Sequence, residues 1–133
     1  MDIDPKYYER HYTMVDTTHF LKIIPGMWRA VNGGAGSGAT AVIAHVDSLN
    51  ICGKTGTAQN PRGPDHSVFI CFAPRNNPKI AIAAYVENGG FGAAYAAPIA
   101  SLMVEKYLKG KVTRKDLEAR MRTSNTLYRV RTK

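Results

Sequence analysis

The run 50–59, Asn-Ile-Cys-Gly-Lys-Thr-Gly-Thr-Ala-Gln, contains the side chains best suited to chemistry in this chain. On an extended strand, Thr55 and Thr57 present their hydroxyls on one face, where they can bind a carboxylate. The ammonium of Lys54 raises the local positive potential and can hold a neighbouring serine hydroxyl. Gly56 leaves space for a ligand or a second backbone. We therefore predict that all four residues bind substrate and that Lys54 and Thr57 are catalytic, the Thr57 N–H donating to an oxyanion.

The run allows two other interpretations. Residues 53–55, Gly-Lys-Thr, match the end of a phosphate-binding loop, but the first glycine of that motif would fall on Ser48. The phosphate-binding motif also requires a helix directly after its lysine, and Gly56 and Pro61 would interrupt such a helix. Nucleotide binding is therefore disfavoured. The other interpretation, a strand end with an exposed lysine, is equally compatible with the three letters taken alone.

Composition sets broad limits on function. The 133 residues, 44% of them hydrophobic, suit one globular domain. Most of the net charge of +8 lies in residues 111–133, which hold eight basic residues and two acidic ones. The nearly neutral body lacks the basic, aromatic-containing face of a nucleic-acid domain, so no nucleic-acid partner is predicted. The histidines show no metal-ligand spacing, and no metal is predicted.

The apolar pattern predicts a small α+β unit. Residues 17–32 carry an apolar stripe at helical spacing, which Pro25 is expected to kink or to divide into two short helices. A glycine-rich segment, 33–38, is expected to be a flexible connection. Three strands of an antiparallel sheet follow, the second of them an almost unbroken apolar run expected to be buried on both faces. The strands are residues 49–58, 66–73 and 79–87.

The C-terminal third is predicted to contain a covering helix and a basic tail. The helix spans residues 93–109, with Ile99, Leu102, Met103 and Tyr107 on one apolar face, and ends at Gly110. The tail, 111–133, is expected to be partly helical or disordered. Within it, Thr113 is expected to cap a short helix stabilised by a Glu118–Arg122 pair. Cys52 and Cys71 are expected to be free buried thiols, although paired strands could also bring them face to face.

This order of features resembles the C-terminal part of the transpeptidase domain in class B penicillin-binding proteins, in particular the elongation-type D,D-transpeptidases. The resemblance covers about 16–109 and implies a partial penicillin-binding transpeptidase fold in residues 1–110. Besides Lys-Thr-Gly, the third signature of penicillin-interactive enzymes, it is carried by four short motifs. These are Gly26-Met27, Asp65-His66, Phe72-Ala73-Pro74 and Val86-Glu87-Asn88-Gly89-Gly90.

The resemblance also implies a reaction. An upstream serine of the intact protein would attack a D-Ala carbonyl of a peptidoglycan stem peptide and pass the acyl group to an amine, and β-lactams would trap that serine. No organic cofactor or metal is implied. The implied location is the periplasmic face of the bacterial inner membrane, with the membrane anchor in a segment absent from this sequence.

The nucleophile of that reaction is expected outside this chain. None of its serines begins a Ser-x-x-Lys motif, and Ser48-Leu49-Asn50 is interpreted as a chance match to the second signature. The chain alone is therefore predicted to be an inactive part of an enzyme that needs the upstream part of the domain. The alternative is a non-catalytic module that uses the sheet and the basic tail to hold a partner or an anionic polymer. His66, next to Asp65, is expected to be structural.

Overall fold

The computed structural model describes residues 8, 9, 11–34 and 36–124. Predictions about residues 1–7 and 125–133 lie outside this range. The described part confirms the predicted α+β architecture of a three-stranded antiparallel sheet with helices. Its helices and strands are α1 (Thr17–Asn32), β1 (Cys52–Ala58), β2 (His66–Ala73), β3 (Ile80–Val86), α2 (Ala96–Lys109) and α3 (Lys115–Thr123), with a short 3₁₀ turn at Val42–Ala44.

The sheet has the order β1-β2-β3, so β1 lies at one edge. Both pairings are antiparallel, and β1 is aligned so that Thr55 faces Phe69 and Thr57 faces Ser67. Residues directly opposite each other in such a pair share one face of the sheet. Thr55 and Thr57 therefore lie on the same face, as predicted, and on the same face as fully buried Phe69.

Burial in β2 alternates along the strand, so the expectation that it is buried on both faces was wrong. Ser67, Phe69 and Cys71 lie on the inner face and are buried, whereas Ile70, on the outer face, is 48% exposed. The outer face also includes Tyr85 of β3, which is 57% exposed. An apolar run alone cannot distinguish one buried face from two.

Helix α2 covers the inner face and starts at Ala96, three residues later than predicted. Ser67 fixes this start, because its hydroxyl donates to the Phe91 carbonyl at 2.9 Å and accepts from the Ala96 N–H at 3.0 Å. Gly110 ends the helix in the left-handed conformation, with φ of 71°. Of the four residues predicted to share one apolar face, Leu102 is buried and Ile99 is half-buried. Met103 and Tyr107 are 53% and 63% exposed, so the prediction was wrong for these two. The buried face holds mainly small residues, among them Ala96, Ala97, Ala100 and Ser101.

Helix α1 runs without a break through Pro25, so the alternative of two short helices was wrong. Asp16 caps it, with Oδ1 accepting from the Thr18 N–H at 2.8 Å. At its other end, the Asn32 amide donates to the Ile51 carbonyl at 2.8 Å and joins α1 to the start of β1.

The segments that flank β1 are more tightly folded than expected. After the glycine-rich segment, the Ala41 N–H donates to the Ala30 carbonyl at 2.9 Å, which returns the chain to α1. Ser48 and Asn50 have positive φ values of 70° and 46°, a conformation that turns favour and strands exclude. Strand β1 therefore begins at Cys52, not near residue 49.

The two cysteines lie on neighbouring strands but on opposite faces of the sheet. Cys52 pairs with Phe72, whereas Cys71 pairs with Gly53, so the idea that the thiols face each other was wrong. Both are free and buried, which confirms the favoured prediction. Burial raises the pKa of the Cys71 thiol to about 11, so this thiol is neutral at physiological pH.

A buried carboxylate joins the start of the tail to α2. Glu105 is fully buried and accepts from the Thr113 N–H at 3.0 Å, from the Thr113 hydroxyl and from Nε of Arg114 at 3.2 Å. Arg114 also donates to the Ser101 hydroxyl at 3.0 Å and to the Ile43 carbonyl at 3.1 Å. The chain before α3 is thus fixed to two parts of the body. Thr113 does not cap α3 as predicted, because its hydroxyl is bound to Glu105.

Helix α3 itself matches the expected short helix in the tail. Glu118 pairs with Arg122 as predicted and also with Lys115, each at 3.0 Å. The domain boundary at residue 110 stays a prediction, and the Glu105 contacts show that residues 113 and 114 pack on the body.

Removing the charge of Glu105 should destabilise the fold in a pH-dependent way. Burial alone would raise the pKa of Glu105, but the hydrogen bonds from Thr113 and Arg114 outweigh it and hold that pKa below the ordinary value of a glutamate. A group with a lowered folded-state pKa contributes stability above its unfolded-state pKa and loses it as the pH falls through the folded-state value. We expect Glu105→Gln to lower the free energy of unfolding at neutral pH by about 3 kcal/mol. In acid, the difference from the unsubstituted protein should disappear.

Urea denaturation at neutral and acidic pH measures both effects. Glu118→Gln is the matched control, because it removes a half-buried carboxylate whose two ion-pair partners are exposed and should change stability little. Equal effects of the two substitutions would contradict the structural role of Glu105.

Candidate substrate-binding cleft

An open cleft of about 450 Å³ lies between the edge strand β1 and the loop that precedes α2. All four residues predicted to bind substrate line it, and so do residues from two other parts of the chain. Its lining residues are Thr40, Lys54, Thr55, Gly56, Thr57, Phe91, Gly92 and Ala93. The structure thus brings the predicted motif to one wall of a cleft, with the opposite wall made by residues 91–93.

The two threonine hydroxyls of β1 differ in their surroundings. Thr55 is half-buried, and its Oγ1 lies 3.0 Å from Oγ1 of Thr40, so the two hydroxyls share a hydrogen bond. Thr57 is exposed. Thr40 was missed in the sequence, because a single threonine after a glycine-rich segment carries no recognisable signal.

Lys54 lies on the opposite face of β1 from the threonines, paired with Ile70. Its side chain is exposed and lies against the backbone of the strand. There, Nζ donates to the carbonyl of the next residue, Thr55, at 2.7 Å. The ammonium therefore adds positive charge at the edge of the cleft, on a strand whose outer side has no neighbouring strand among the described residues.

Close backbone packing requires glycine at position 92 more strictly than at position 56. A Cβ on Gly92 would overlap the Val68 carbonyl oxygen and come within 2.7 Å of the Gly56 carbonyl oxygen. Gly92 therefore lies directly over the hydrogen-bonded ladder of β1 and β2. A Cβ on Gly56 would meet only the Val68 side chain, at 3.3 Å. The glycines of residues 89–92 were the available sequence signal for this approach.

His66 makes one hydrogen bond and one aromatic contact, which are typical of a structural histidine. Its Nδ1 accepts from the Asn88 N–H at 3.1 Å, and its ring packs against Tyr85 with 5.3 Å between centroids. Asp65 accepts from the Asn60 N–H at 3.1 Å, which stabilises the turn before β2. In the part of the chain that the structure describes, no group of three or more His, Cys, Asp or Glu residues is arranged to hold a metal ion.

Comparison with known proteins identifies the family of the chain that forms this cleft. The family model described as penicillin binding protein transpeptidase domain matches residues 6–105. The chain belongs to the penicillin-binding protein transpeptidase family. This confirms the resemblance drawn from the Lys-Thr-Gly run and its neighbouring motifs.

Curated relatives in this family are peptidoglycan D,D-transpeptidases. PbpA of Mycobacterium tuberculosis is 41% identical over 75 residues, which cover 50% of this chain and 15% of PbpA. MrdA of Haemophilus influenzae is 32% identical over 102 residues, which cover 65% of this chain and 15% of MrdA. The chain thus spans about one seventh of the length of these relatives.

Solved structures of the family show the same fold. The imipenem acyl-enzyme complex of penicillin-binding protein A from M. tuberculosis matches with a TM-score of 0.58 and 33% identity, over 71% of this chain and 20% of that one. Penicillin-binding protein 2 of Pseudomonas aeruginosa, in complex with WCK 5153, matches with a TM-score of 0.57 and 37% identity, over 78% of this chain and 23% of that one. Within the described residues, no helix combines the length and hydropathy needed to cross a bilayer.

Filling the space at Gly92 should separate the two walls of the cleft. We expect Gly92→Ala to lower the free energy of unfolding by about 1–3 kcal/mol, because the new methyl group meets backbone that cannot rotate away. Gly34→Ala is the control, since a Cβ there meets nothing within 4 Å. Urea denaturation of both variants is the measurement. A Gly92→Ala protein as stable as the control would contradict the close approach of this loop to β1.

Proposed function

We propose that this chain forms the substrate-binding wall of a peptidoglycan D,D-transpeptidase. The observation that carries the proposal is the position of Lys54, Thr55, Gly56 and Thr57 on an edge strand that lines an open cleft, in a chain of the transpeptidase family. An edge strand offers unpaired backbone groups to an extended peptide, which can add to the sheet as a further strand. A stem peptide bound in this way would lie along β1.

In this proposal, the side chains of β1 bind the carboxylate of the substrate. Thr55 and Thr57 offer hydroxyl donors from the same face of the strand. Lys54, although its carbon chain leaves the other face, already reaches round the strand edge to the Thr55 carbonyl. Its ammonium would therefore lie close enough to the cleft to favour an anionic ligand and to hold the serine of the second family signature.

The backbone N–H of Thr57 is proposed as one oxyanion donor. The Thr55 carbonyl accepts from Lys54 and is thus accessible. Because backbone groups two residues apart on a strand point in the same direction, the N–H of Thr57 is expected on that same open edge. One such donor is typically worth about 3 kcal/mol of barrier lowering.

We place the nucleophilic serine in an upstream part of the domain. The two buried serines of this chain are already engaged: Ser67 links β2 to the start of α2, and Ser101 donates to the Pro98 carbonyl and accepts from Arg114. The outer sheet face, where Ile70 and Tyr85 are about half exposed, offers an apolar surface on which that upstream part can pack. The proposed location of the intact enzyme is the periplasmic face of the inner membrane.

The role of Lys54 is tested in the intact protein, in which this chain is joined to its natural upstream sequence. We expect the Lys54→Ala protein to react with a fluorescent penicillin roughly 100-fold more slowly than the unsubstituted protein, because it loses a preorganised charge at the reacting group. Lys79→Ala, which removes an exposed lysine of the β2–β3 turn, is the control and should react normally. The measurement is the second-order rate constant of acylation. An intact protein that is not labelled, or an upstream region without Ser-x-x-Lys, would favour the non-catalytic binding module.

The chain by itself should not form an acyl-enzyme. Incubation with a labelled β-lactam should leave its mass unchanged, because it contains no Ser-x-x-Lys sequence. Intact mass spectrometry gives the answer directly. A covalent adduct would show that one of its own serines is the nucleophile.

A further inference from the structure

Thr40 reaches the cleft from a segment outside the Lys-Thr-Gly strand. Its Oγ1 lies 3.0 Å from Oγ1 of Thr55, so one of the two hydroxyls donates a hydrogen bond to the other. Both residues line the cleft. The Thr40 side chain is exposed, and among the described residues it has no other hydrogen-bond partner. The contact of this hydroxyl is therefore with the site and not with the core.

The backbone on both sides of Thr40 is held in place. The next residue, Ala41, is fully buried, and its N–H donates to the Ala30 carbonyl of α1 at 2.9 Å. On the other side, the Ala39 N–H donates to the Ser37 hydroxyl at 3.3 Å. The segment that follows the glycines thus presents Thr40 to β1 from a defined position. A hydroxyl on such a fixed backbone is preorganised for its partner.

The direction of the shared hydrogen bond decides what the Thr55 hydroxyl offers to a ligand. A hydroxyl has one proton and two lone pairs. If Thr55 donated to Thr40, the side of its oxygen that faces the cleft would present lone pairs, which repel a carboxylate. If Thr40 donates, the proton of Thr55 is free to point into the cleft. A carboxylate hydrogen-bonded by Thr55 therefore requires Thr40 to be the donor of the pair.

We propose that Thr40 is a positioning residue, which donates to Thr55 and so directs the Thr55 proton to the carboxylate of the substrate. Hydrogen bonds in a chain polarise one another, so a Thr55 hydroxyl that accepts from Thr40 is also a stronger donor. The inference rests on the proposed function, in which Thr55 and Thr57 bind that carboxylate. It adds to the cleft a residue that acts through Thr55 and does not touch the substrate.

The hydroxyl of Thr40 is tested in the intact protein by the second-order rate constant of acylation by a fluorescent penicillin. Thr40→Val removes the hydroxyl at nearly constant size. We expect it to slow acylation roughly 3- to 10-fold, as for the loss of one neutral hydrogen bond. Thr40→Ala should slow the reaction to the same extent. Thr40→Ser, which keeps the hydroxyl, should react nearly as fast as the unsubstituted protein.

A double-mutant cycle with Thr55 separates the positioning role from a direct or a structural one. In a protein that already carries Thr55→Val, the further substitution Thr40→Val should leave the rate unchanged, because Thr40 acts through the Thr55 hydroxyl. Ser37→Ala is the control. It removes another hydroxyl of the same segment, one that does not line the cleft, and acylation should stay normal.

Two results would overturn the positioning role and leave the proposed function intact, provided that the unsubstituted protein is acylated. One is an unchanged rate in Thr40→Val. The other is the same loss from Thr40→Val with and without the Thr55 hydroxyl, since Thr40 would then act on the ligand directly or through the fold. An unsubstituted protein that no penicillin acylates would overturn the proposed function, and this role with it. Thermal unfolding of each variant checks that the fold is retained.

Discussion

The alignment of β1 with β2 is the constraint on which the site depends. Side chains alternate between the faces of a strand, so a shift of one residue would move Thr55 and Thr57 to the opposite face of the sheet and bring Lys54 and Gly56 to the face that they now occupy. Two features of the sequence hold the observed register. A Cβ at Gly53 would overlap the Phe69 ring, which needs that space to fill the core. Gly92 rests on the ladder between the two strands, where no larger residue fits.

The structure of the sheet also explains why the site lies at the edge formed by β1 and why the core lies on the inner face. Phe69 and Cys71 lie on the inner face of the sheet, which α2 covers. The small residues of α2 let the helix approach the sheet closely. The hydroxyl of Ser67 links β2 to the loop and to the first turn of that helix. The loop consequently stands over β1 as the second wall of the cleft. A structural serine in the core thus helps to define the shape of the site.

Much of this architecture was predictable from local patterns, and the errors have physical causes. The hairpin of β2 and β3 and the end of α2 at Gly110 follow from turn chemistry. The continuity of α1 could not be predicted from local patterns. Pro25 removes one hydrogen bond of the helix, but the packing of α1 on β1 outweighs that loss. The cleft was half predictable: the motif on β1 is recognisable in the sequence, whereas Thr40 and Gly92 reach it only through tertiary packing. The attachment of α3 was also not predictable, because it depends on Glu105, a charged residue that is buried in α2.

The central claim is that β1 binds the acyl group and its carboxylate while an upstream serine supplies the nucleophile. A crystal structure of the intact protein acylated by a penicillin tests it most directly. We predict the former lactam carbonyl oxygen at about 3 Å from the Thr57 backbone nitrogen, with the penicillin carboxylate against the Thr55 and Thr57 hydroxyls. A covalent adduct whose carbonyl and carboxylate lie away from β1 would contradict the account.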